Sequence, residues 1–243
     1  MPHGTSAQQA SACLNSSRLW HHFDHLSLKD NIRASGDPDF PPWLLQVGDG
    51  AHSSTVELNH HGIDIVRDHE ALIDNTFGTE LNHTTLQGLR KTVILAPTNR
   101  TMLEINDKIL DRIQTDSVHR MSIDTAIVDS DDSPDMIPPE LLYTLTPPGM
   151  PPHDLHLKVD GVYMLLRNMD IKQGLCNGTR FVVRDCSSPY VLKCELIPHD
   201  NAQEPKTFFL PRIETTPTEQ YPFMFKRKQF PCLPAFAMTI NKS

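Results

Sequence analysis

Histidine pairs are the first residues in this chain whose type and spacing could bind a metal ion. His21 and His25 stand four residues apart and would share one face of a helix, and His60 and His61 are adjacent. A zinc site needs three or four Cys, His or carboxylate ligands around the ion. Since no cysteine or carboxylate cluster completes either set, the sequence favours solvated histidines and predicts no metal site.

A basic hairpin offers a second kind of chemistry, contact with a nucleic acid. Apolar runs at 162–166 and 181–183 flank the dipeptide Asn177-Gly178, an order that predicts strand, turn and strand. Asn and Gly tolerate the positive φ angles of a tight type I′ turn. Three basic side chains flank the two strands: Arg167, Lys172 and Arg180. A basic hairpin of this kind suggests a nucleic-acid contact.

Composition indicates a soluble, intracellular protein of one large domain or two smaller ones. A chain of 243 residues can bury a core that needs no disulfide or metal to stabilise it. Its five cysteines include no CxxC pair, and their odd number argues against a disulfide framework. The N-terminus lacks the basic start and apolar run of a signal peptide, and no apolar window is long enough to span a membrane. Twenty prolines predict long loops or linkers.

Charge is distributed unevenly along the chain. Residues 1–156 carry 10 basic and 22 acidic side chains, a net charge of −12, whereas residues 157–243 carry 12 basic and 8 acidic side chains, a net charge of +4. The second segment is therefore the one whose charge suits a polyanion, and the first segment argues against such a partner.

Apolar spacing predicts the elements that would position these residues. A buried strand at 93–96 runs into an amphipathic helix, whose apolar side chains recur at Met102, Ile105, Ile109 and Ile113. Units of this kind build parallel sheets and bind ligands beyond the carboxyl ends of the strands. Thr98 and Asn99 stand at that end.

Other segments predict short helices, a small β module and a connection. Helices are expected at 18–23, 40–45 and 68–77, and two strands beyond the hairpin at 190–197 and 207–210. Four short strands in about sixty residues predict a small barrel or sandwich. The acidic, proline-containing residues 129–139 predict an exposed connection between domains.

Two long blocks, 145–183 and 226–243, closely resemble DNA helicases of the petite integration frequency (PIF) family, particularly the Helitron-transposon type. The resemblance runs from about residue 12 to the C-terminus and is weakest over 51–89. It implies a superfamily-one motor that uses ATP to move along single-stranded DNA from five-prime to three-prime. In this family two RecA-like domains clamp the nucleotide between them.

The resemblance also implies an architecture. The fold class is α/β, with an incomplete RecA-like parallel sheet, called domain 2A, and an inserted small SH3-like β-barrel, called the 2B domain. Residues 1–128 would begin domain 2A, with 1–11 disordered, and 129–156 would form the linker into 2B. Residues 157–213 would form the barrel, and 214–243 would return to domain 2A.

Site residues follow from the resemblance block by block. Arg33, in the block 28–33, is expected to reach the γ-phosphate in a complete enzyme, because a guanidinium stabilises charge during phosphoryl transfer. Polar and basic residues of the other blocks are expected to contact the DNA backbone without reading its sequence. These are Thr98, Asn99, Asn106, Arg167, Asn168, Asn177, Gly178, Arg180, Thr239, Asn241, Lys242 and Ser243.

Two departures from the family limit what this chain is expected to do. The sequence contains no GxxxxGK[ST] phosphate loop and no Asp-Glu pair for magnesium. The complete family enzyme uses ATP and Mg²⁺, whereas this chain is expected to bind neither tightly. We therefore expect a helicase fragment, cut at both ends and lacking the N-terminal RecA-like domain. By itself it is expected to be inactive and to bind single-stranded DNA weakly and independently of sequence. No membrane is expected as a partner.

Two other interpretations stay open at this point. The chain could be a non-catalytic module whose barrel binds a protein partner, which the net −12 of residues 1–156 favours slightly. It could also be a transposon-derived relic without independent function. The family implies the nucleus rather than the mitochondrion, and processes such as DNA replication, repair, recombination, telomere maintenance or transposition.

Overall fold

The computed structural model describes most of the chain in two separate units. The described residues are 4–24, 26–27, 31–34, 36–51, 64–82, 86, 88–127, 137–197, 205–217 and 223–240. The units are Met1–Ile65 and Val66–Ser243. None of the described helices is long and apolar enough to cross a membrane.

The first unit contains two short helices, α1 (Ser6–Ser11) and α2 (Phe40–Gly48). Helix α1 lies where disorder was predicted, and a capping box between Thr5 and Gln8 satisfies the backbone amides of these two residues at the helix start. Helix α2 confirms the helix predicted from residue 40. The helix predicted over 18–23 is only a 3-10 turn, Trp20–His22. No described side chain of this unit is buried.

The second unit begins with helix α3 (His69–Phe77), strand β1 (Ile94–Ala96) and helix α4 (Asn99–Arg112). Both helices and the strand match the predicted segments. The apolar face of α4 is buried through Met102, Ile105 and Ile109, as its spacing predicts. On its other side α4 is tied to α3 by ion pairs of 2.6 Å, formed by Lys108 and Arg112 with carboxylates of α3.

Strand β1 pairs in parallel with the last strand, β12 (Ala237–Thr239). Within the described part of the chain this is the one parallel pairing between strands of the sheets. The predicted α/β class with a parallel sheet is confirmed, and the sheet consists of two strands. Its register places Ile94 opposite Ala237 and Ala96 opposite Thr239.

A five-stranded antiparallel sheet forms the largest part of the unit, in the order β11, β5, β6, β7, β8. The ranges are β5 (Val162–Leu165), β6 (Arg180–Asp185), β7 (Val191–Leu196), β8 (Thr207–Pro211) and β11 (Cys232–Pro234). All four strands predicted for the β module are present. Strand pairing among the described residues leaves the sheet open between β8 and β11, so the predicted closed barrel is not observed.

The predicted hairpin is β5 and β6, with Val162 opposite Val182. Its turn differs from the prediction, because only Gly178 has a positive φ, of 86°. A type I′ turn needs positive φ at both central residues, whereas positive φ at the second alone is the pattern of a type II turn. The Thr179 amide donates to the Cys176 carbonyl at 2.9 Å and closes this turn.

Two small antiparallel sheets and one helix complete the unit. Strand β2 (Ser117–Met121) pairs with β4 (Asp154–Lys158), and β10 (Met224–Gln229) lies between β3 (Ile123–Ile127) and β9 (Ile213–Thr215). Helix α5 (Pro139–Thr144) follows the predicted acidic connection, of which 129–136 lie outside the described residues. The last described segment of the chain forms β10, β11 and β12.

Candidate nucleic-acid interface

A cavity of about 540 Å³ lies in the second unit, between helix α4, strand β4 and the proline-rich segment 146–152. Three of the predicted DNA contacts line it: Asn99, Asn177 and Thr239. They come from three separate blocks of the sequence. Much of the remaining wall is apolar and includes Met102, Leu103, Met150, Met164, Leu166, Leu233 and Pro234.

Thr98 is the N-cap of helix α4, which forms one wall of the cavity. Its side-chain oxygen accepts a hydrogen bond from the Thr101 amide at 3.2 Å, which satisfies one of the free amides at the helix start. Asn99 therefore occupies the first turn, with its side chain exposed at the cavity. Thr98 is exposed but does not line the cavity.

Asn106 has a structural role, which corrects its prediction as a DNA contact. Its side chain is 0% exposed. The amide nitrogen donates to the Ala237 carbonyl at 3.0 Å, and the amide oxygen accepts from the backbone amides of Phe236 and Ala237 at 2.9 and 2.8 Å. These bonds leave Asn106 unavailable to a phosphate. They attach α4 to β12 and so position Thr239 at the cavity.

A buried arginine holds the proline-rich wall. The Arg227 guanidinium donates to the carbonyls of Leu142, Leu145 and Pro151 at 2.7, 2.9 and 3.1 Å. It also pairs with Asp124 at 2.6 Å, and both side chains are 0% exposed. Arg227 was not among the predicted site residues. The available signal was the period of two in β10, which places Arg227 on the inward face with Phe225.

The hairpin places Asn177 at the cavity through backbone contacts. The Asn177 amide donates to the side-chain oxygen of Asn168 at 2.8 Å, and the Gly178 amide donates to the Leu165 carbonyl at 2.7 Å. The side chain of Asn177 stays exposed. Asn168 and Gly178 thus position Asn177, and neither of them lines the cavity.

The two predicted arginines of the hairpin lie away from the cavity lining. Arg180 is half-buried and donates to the Thr92 carbonyl at 2.8 Å, which links β6 to the segment before β1. Burial lowers the pKa of Arg180 below its ordinary value. Arg167 is also half-buried, and its Nε atom is enclosed without a hydrogen-bond partner. Neither arginine lines the cavity that Asn99, Asn177 and Thr239 share.

The charged residues that line the cavity are acidic. Asp107 and Asp154 contribute carboxylates, and none of the described lining residues is Lys or Arg. Burial, and then the negative charge of Asp111, raise the pKa of Asp107 against a lowering by His156. Burial also acts to raise the pKa of Asp154, but hydrogen bonds to His119 and His156 outweigh it and lower that pKa. The interior therefore suits an uncharged ring better than a phosphate.

The remaining predicted residues fall outside what the structure describes. Arg33 lies in a 3-10 turn, Ile32–Ala34, whose backbone is described while the Arg33 side chain is not. Asn241, Lys242 and Ser243 follow the last described residue. Their predicted contacts with the γ-phosphate and with DNA stay predictions.

Comparison with known proteins was made by family and by structure. The family described as "DNA helicase Pif1, 2B domain" matches residues 140–185, from helix α5 through strand β6. Residues 140–185 are therefore similar to the 2B domain of Pif1 helicases. The predicted relationship to PIF-family helicases is confirmed, while the Helitron type stays a prediction. No curated protein matches the chain by sequence.

Solved Pif1 helicases are similar in fold. The crystal structure of Pif1 helicase from Candida albicans has a TM-score of 0.60 at 20% identity, covering 94% of this chain and 50% of that chain. Bacteroides sp Pif1 in complex with ADP-AlF4 has a TM-score of 0.45 at 17% identity, covering 88% of this chain and 42% of that chain. Bacteroides Pif1 bound to ssDNA has a TM-score of 0.44 at 17% identity, covering 73% of this chain and 40% of that chain. The chain spans about half the length of the Candida helicase.

The residues of this chain do not by themselves fit a nucleotide. Its 243 residues contain neither a GxxxxGK[ST] phosphate loop nor an Asp-Glu pair. Such a loop surrounds the phosphates with backbone amides and a lysine. The cavity beside α4 cannot replace it, since its charged lining carries carboxylates that would repel phosphates.

Proposed function

We propose that this chain contributes contacts with single-stranded DNA to an ATP-dependent DNA helicase that moves from five-prime to three-prime. The observation that carries the proposal is the cavity of the second unit. Asn99, Asn177 and Thr239 were each predicted to contact DNA, and all three line this cavity. It lies beside the segment that matches the Pif1 2B domain.

The chemistry of the cavity supports binding of a base. Aliphatic, methionine and proline side chains offer apolar contact to the face of a base, which is favourable for any base. Two amides and one hydroxyl can donate or accept hydrogen bonds, so they tolerate different base edges. The phosphates would then remain outside the acidic interior, nearer the exposed start of helix α4. Binding of this kind is weak and independent of sequence.

ATP hydrolysis belongs, in this proposal, to the complete helicase. The domain that carries the phosphate loop would supply most contacts with ATP and Mg²⁺, and Arg33 would reach the γ-phosphate across the interface. This chain alone would bind ATP negligibly and hydrolyse none. Calorimetric titration tests this part, and micromolar ATP affinity of the isolated chain would contradict it.

Fluorescence anisotropy with a labelled oligo-dT tests the DNA part. At about 50 mM salt the chain should bind, and its affinity should fall steeply by about 200 mM, because bound DNA phosphates release counterions. The triple variant N99A/N177A/T239A should bind at least about tenfold more weakly, since each lost hydrogen bond costs about 0.5–1.5 kcal/mol. The control N75A/T79A/Q114A changes three exposed polar residues outside the cavity and should bind like the wild type.

If N99A/N177A/T239A binds DNA as tightly as the wild type, the DNA-binding site lies outside the cavity. The acidic and apolar lining favours a second candidate in that case, a module that binds a basic or apolar segment of a protein partner. Charge reversal then discriminates between the two functions. Arg167→Glu should weaken DNA binding and leave such a protein contact intact. Nuclear localisation and roles in repair, recombination or telomere maintenance stay predictions.

A further inference from the structure

Two histidines and one aspartate lie together on one face of the ribbon formed by β2 and β4. His119 of β2 stands directly opposite His156 of β4 in the strand register. Asp154 precedes His156 by two residues, and side chains two apart in a strand point to the same face. All three side chains are partly exposed, with exposed fractions of 50% for His119, 35% for Asp154 and 47% for His156.

The side-chain atoms of these residues already converge. His119 Nδ1 lies 3.0 Å from Asp154 Oδ2, and His156 Nε2 lies 3.2 Å from the same oxygen. The two imidazole rings are 4.0 Å apart between centroids. One ligand atom from each residue falls within 4.8 Å of the others.

These separations suit ligands of one metal ion. Zinc binds His nitrogen and carboxylate oxygen at about 2.0–2.2 Å, so two neighbouring ligands in tetrahedral or octahedral geometry lie about 2.8–3.6 Å apart. Both measured nitrogen–oxygen distances fall in this range. An ion could therefore replace the protons now shared between the imidazoles and the carboxylate, with only small side-chain movements.

The surroundings add negative charge. Asp154 and His156 line the cavity, and Asp107 lines it too. Asp107 is close enough to interact electrostatically with His156. A local excess of carboxylates attracts a cation to this end of the cavity. The cluster thus combines a converging ligand set with a field of the right sign.

We propose that His119, Asp154 and His156 form a binding site for a divalent transition-metal ion, with Zn²⁺ as the best match. Two imidazoles and one carboxylate are ligands that zinc prefers, and three protein ligands leave a fourth position for water or another oxygen ligand. The ion would join strand β2 to strand β4. The site is independent of whether the cavity binds DNA.

Zinc titration of the full chain tests the proposal. The protein is prepared without a histidine tag, stripped of metal with a chelator, and titrated with ZnCl₂ against a chromophoric competitor. The wild type should bind one Zn²⁺ more than H119Q/H156Q, and D154N should weaken that site about tenfold or more. Co²⁺ in the same site should give visible absorption bands that H119Q/H156Q lacks.

The matched control is H21Q/H22Q. It removes another pair of histidines whose rings are 4.0 Å apart, in the first unit, and which belong to no converging group of three potential metal ligands among the described residues. This variant should keep the zinc site and the cobalt spectrum of the wild type. Equal zinc stoichiometry and affinity in the wild type and H119Q/H156Q would overturn the proposal.

A measurement on the wild type alone covers the case in which H119Q/H156Q does not fold. Heteronuclear NMR of the imidazole nitrogens should show the His119 Nδ1 and His156 Nε2 resonances shifting together on addition of one equivalent of Zn²⁺. Unchanged resonances of both rings at saturating zinc would overturn the proposal without any variant.

Discussion

The antiparallel sheet and the parallel pair are held together in different ways. Strands β5 to β8 come from one continuous stretch, 162–211, and each pairs with its neighbour in sequence. The parallel pair joins β1 to β12, with Ile94 opposite Ala237, 143 positions later in the chain. The first sheet is stabilised by its own apolar face. The second depends on one buried polar side chain, Asn106, which fastens β12 to helix α4.

This difference shows where the candidate site is vulnerable. The sheet contributes Met164 to the cavity from a strand that is paired on both sides. Thr239 is placed at the cavity by a short strand whose position depends on distant contacts. Damage to the sheet core should therefore affect the whole second unit, whereas damage at Asn106 should first release β12 and Thr239.

The largest effect is expected from Phe181→Ala, in the core of the antiparallel sheet. Phe181 is 0% exposed and packs edge-on against Phe208, with ring centroids 5.4 Å apart. Removal of a buried Phe side chain leaves a cavity, and the free energy of unfolding should fall by about 3–5 kcal/mol. Urea denaturation measures this loss. Phe209→Ala, at a position 65% exposed on strand β8, should change it by much less.

A smaller and more local effect is expected from Asn106→Ala. The variant leaves the amides of Phe236 and Ala237 and the Ala237 carbonyl without the Asn106 side chain, at a cost of about 2–3 kcal/mol. Hydrogen exchange should show reduced protection in β1 and β12 and unchanged protection in β6 and β7. Asn75→Ala, at an exposed position of α3, is the control. Uniform loss of protection in all four strands would contradict the difference between the two regions.

The smallest effect concerns Glu195, which connects the two regions. Its carboxylate in β7 pairs with Arg184 at 2.9 Å and with Arg90, ahead of β1, at 3.0 Å. Hydrogen bonds from Arg184 lower the pKa of Glu195 below its ordinary value, against an opposing effect of burial and with help from Arg90. A carboxyl with a lowered pKa stabilises the fold above its unfolded pKa. That stabilisation is lost as the pH falls through the folded pKa.

Glu195→Gln should therefore be less stable than the wild type by about 1 kcal/mol near neutral pH. The difference should shrink as the pH falls through the lowered pKa of folded Glu195, because the wild-type carboxylate then becomes protonated too. Denaturation at a series of pH values measures it. The control is Glu104→Gln, which removes an exposed pair with Arg100 on helix α4 and should change the free energy of unfolding by much less. A constant gap between Glu195→Gln and the wild type at all pH values would contradict the assignment.

Local patterns predicted the elements whose signals lie within one segment. The spacing of Met102, Ile105 and Ile109 predicted helix α4, and the apolar runs around Asn177-Gly178 predicted the hairpin. Strands β2 and β3 were not predicted, because each has charged or polar residues and only partly buried side chains. The turn type was wrong because Asn177 permits positive φ without requiring it.

The site residues divide in the same way. Asn99, Asn177 and Thr239 were predicted as DNA contacts through resemblance, and only the fold showed that they line one cavity; their contact with DNA stays a prediction. Asn106 was misassigned because burial of a polar side chain depends on its tertiary partners. The histidines considered for a metal were neighbours in sequence, whereas His119 and His156 meet only through strand pairing. No local pattern marks such a pair.

By itself, the sequence determined the PIF-type 2B module, the helix and strand elements with strong periodicity, and the absence of a phosphate loop from these residues. Each of these features depends on residues that are close together in sequence, so side-chain size and backbone preference determine it locally. Tertiary structure decided that Arg227 would be buried against Asp124, that Asn106 would hold β12, and that the sheet would stay open. It also placed Asp154 between two histidines. These outcomes depend on contacts between residues far apart in sequence, whose energies exist only once the chain has folded.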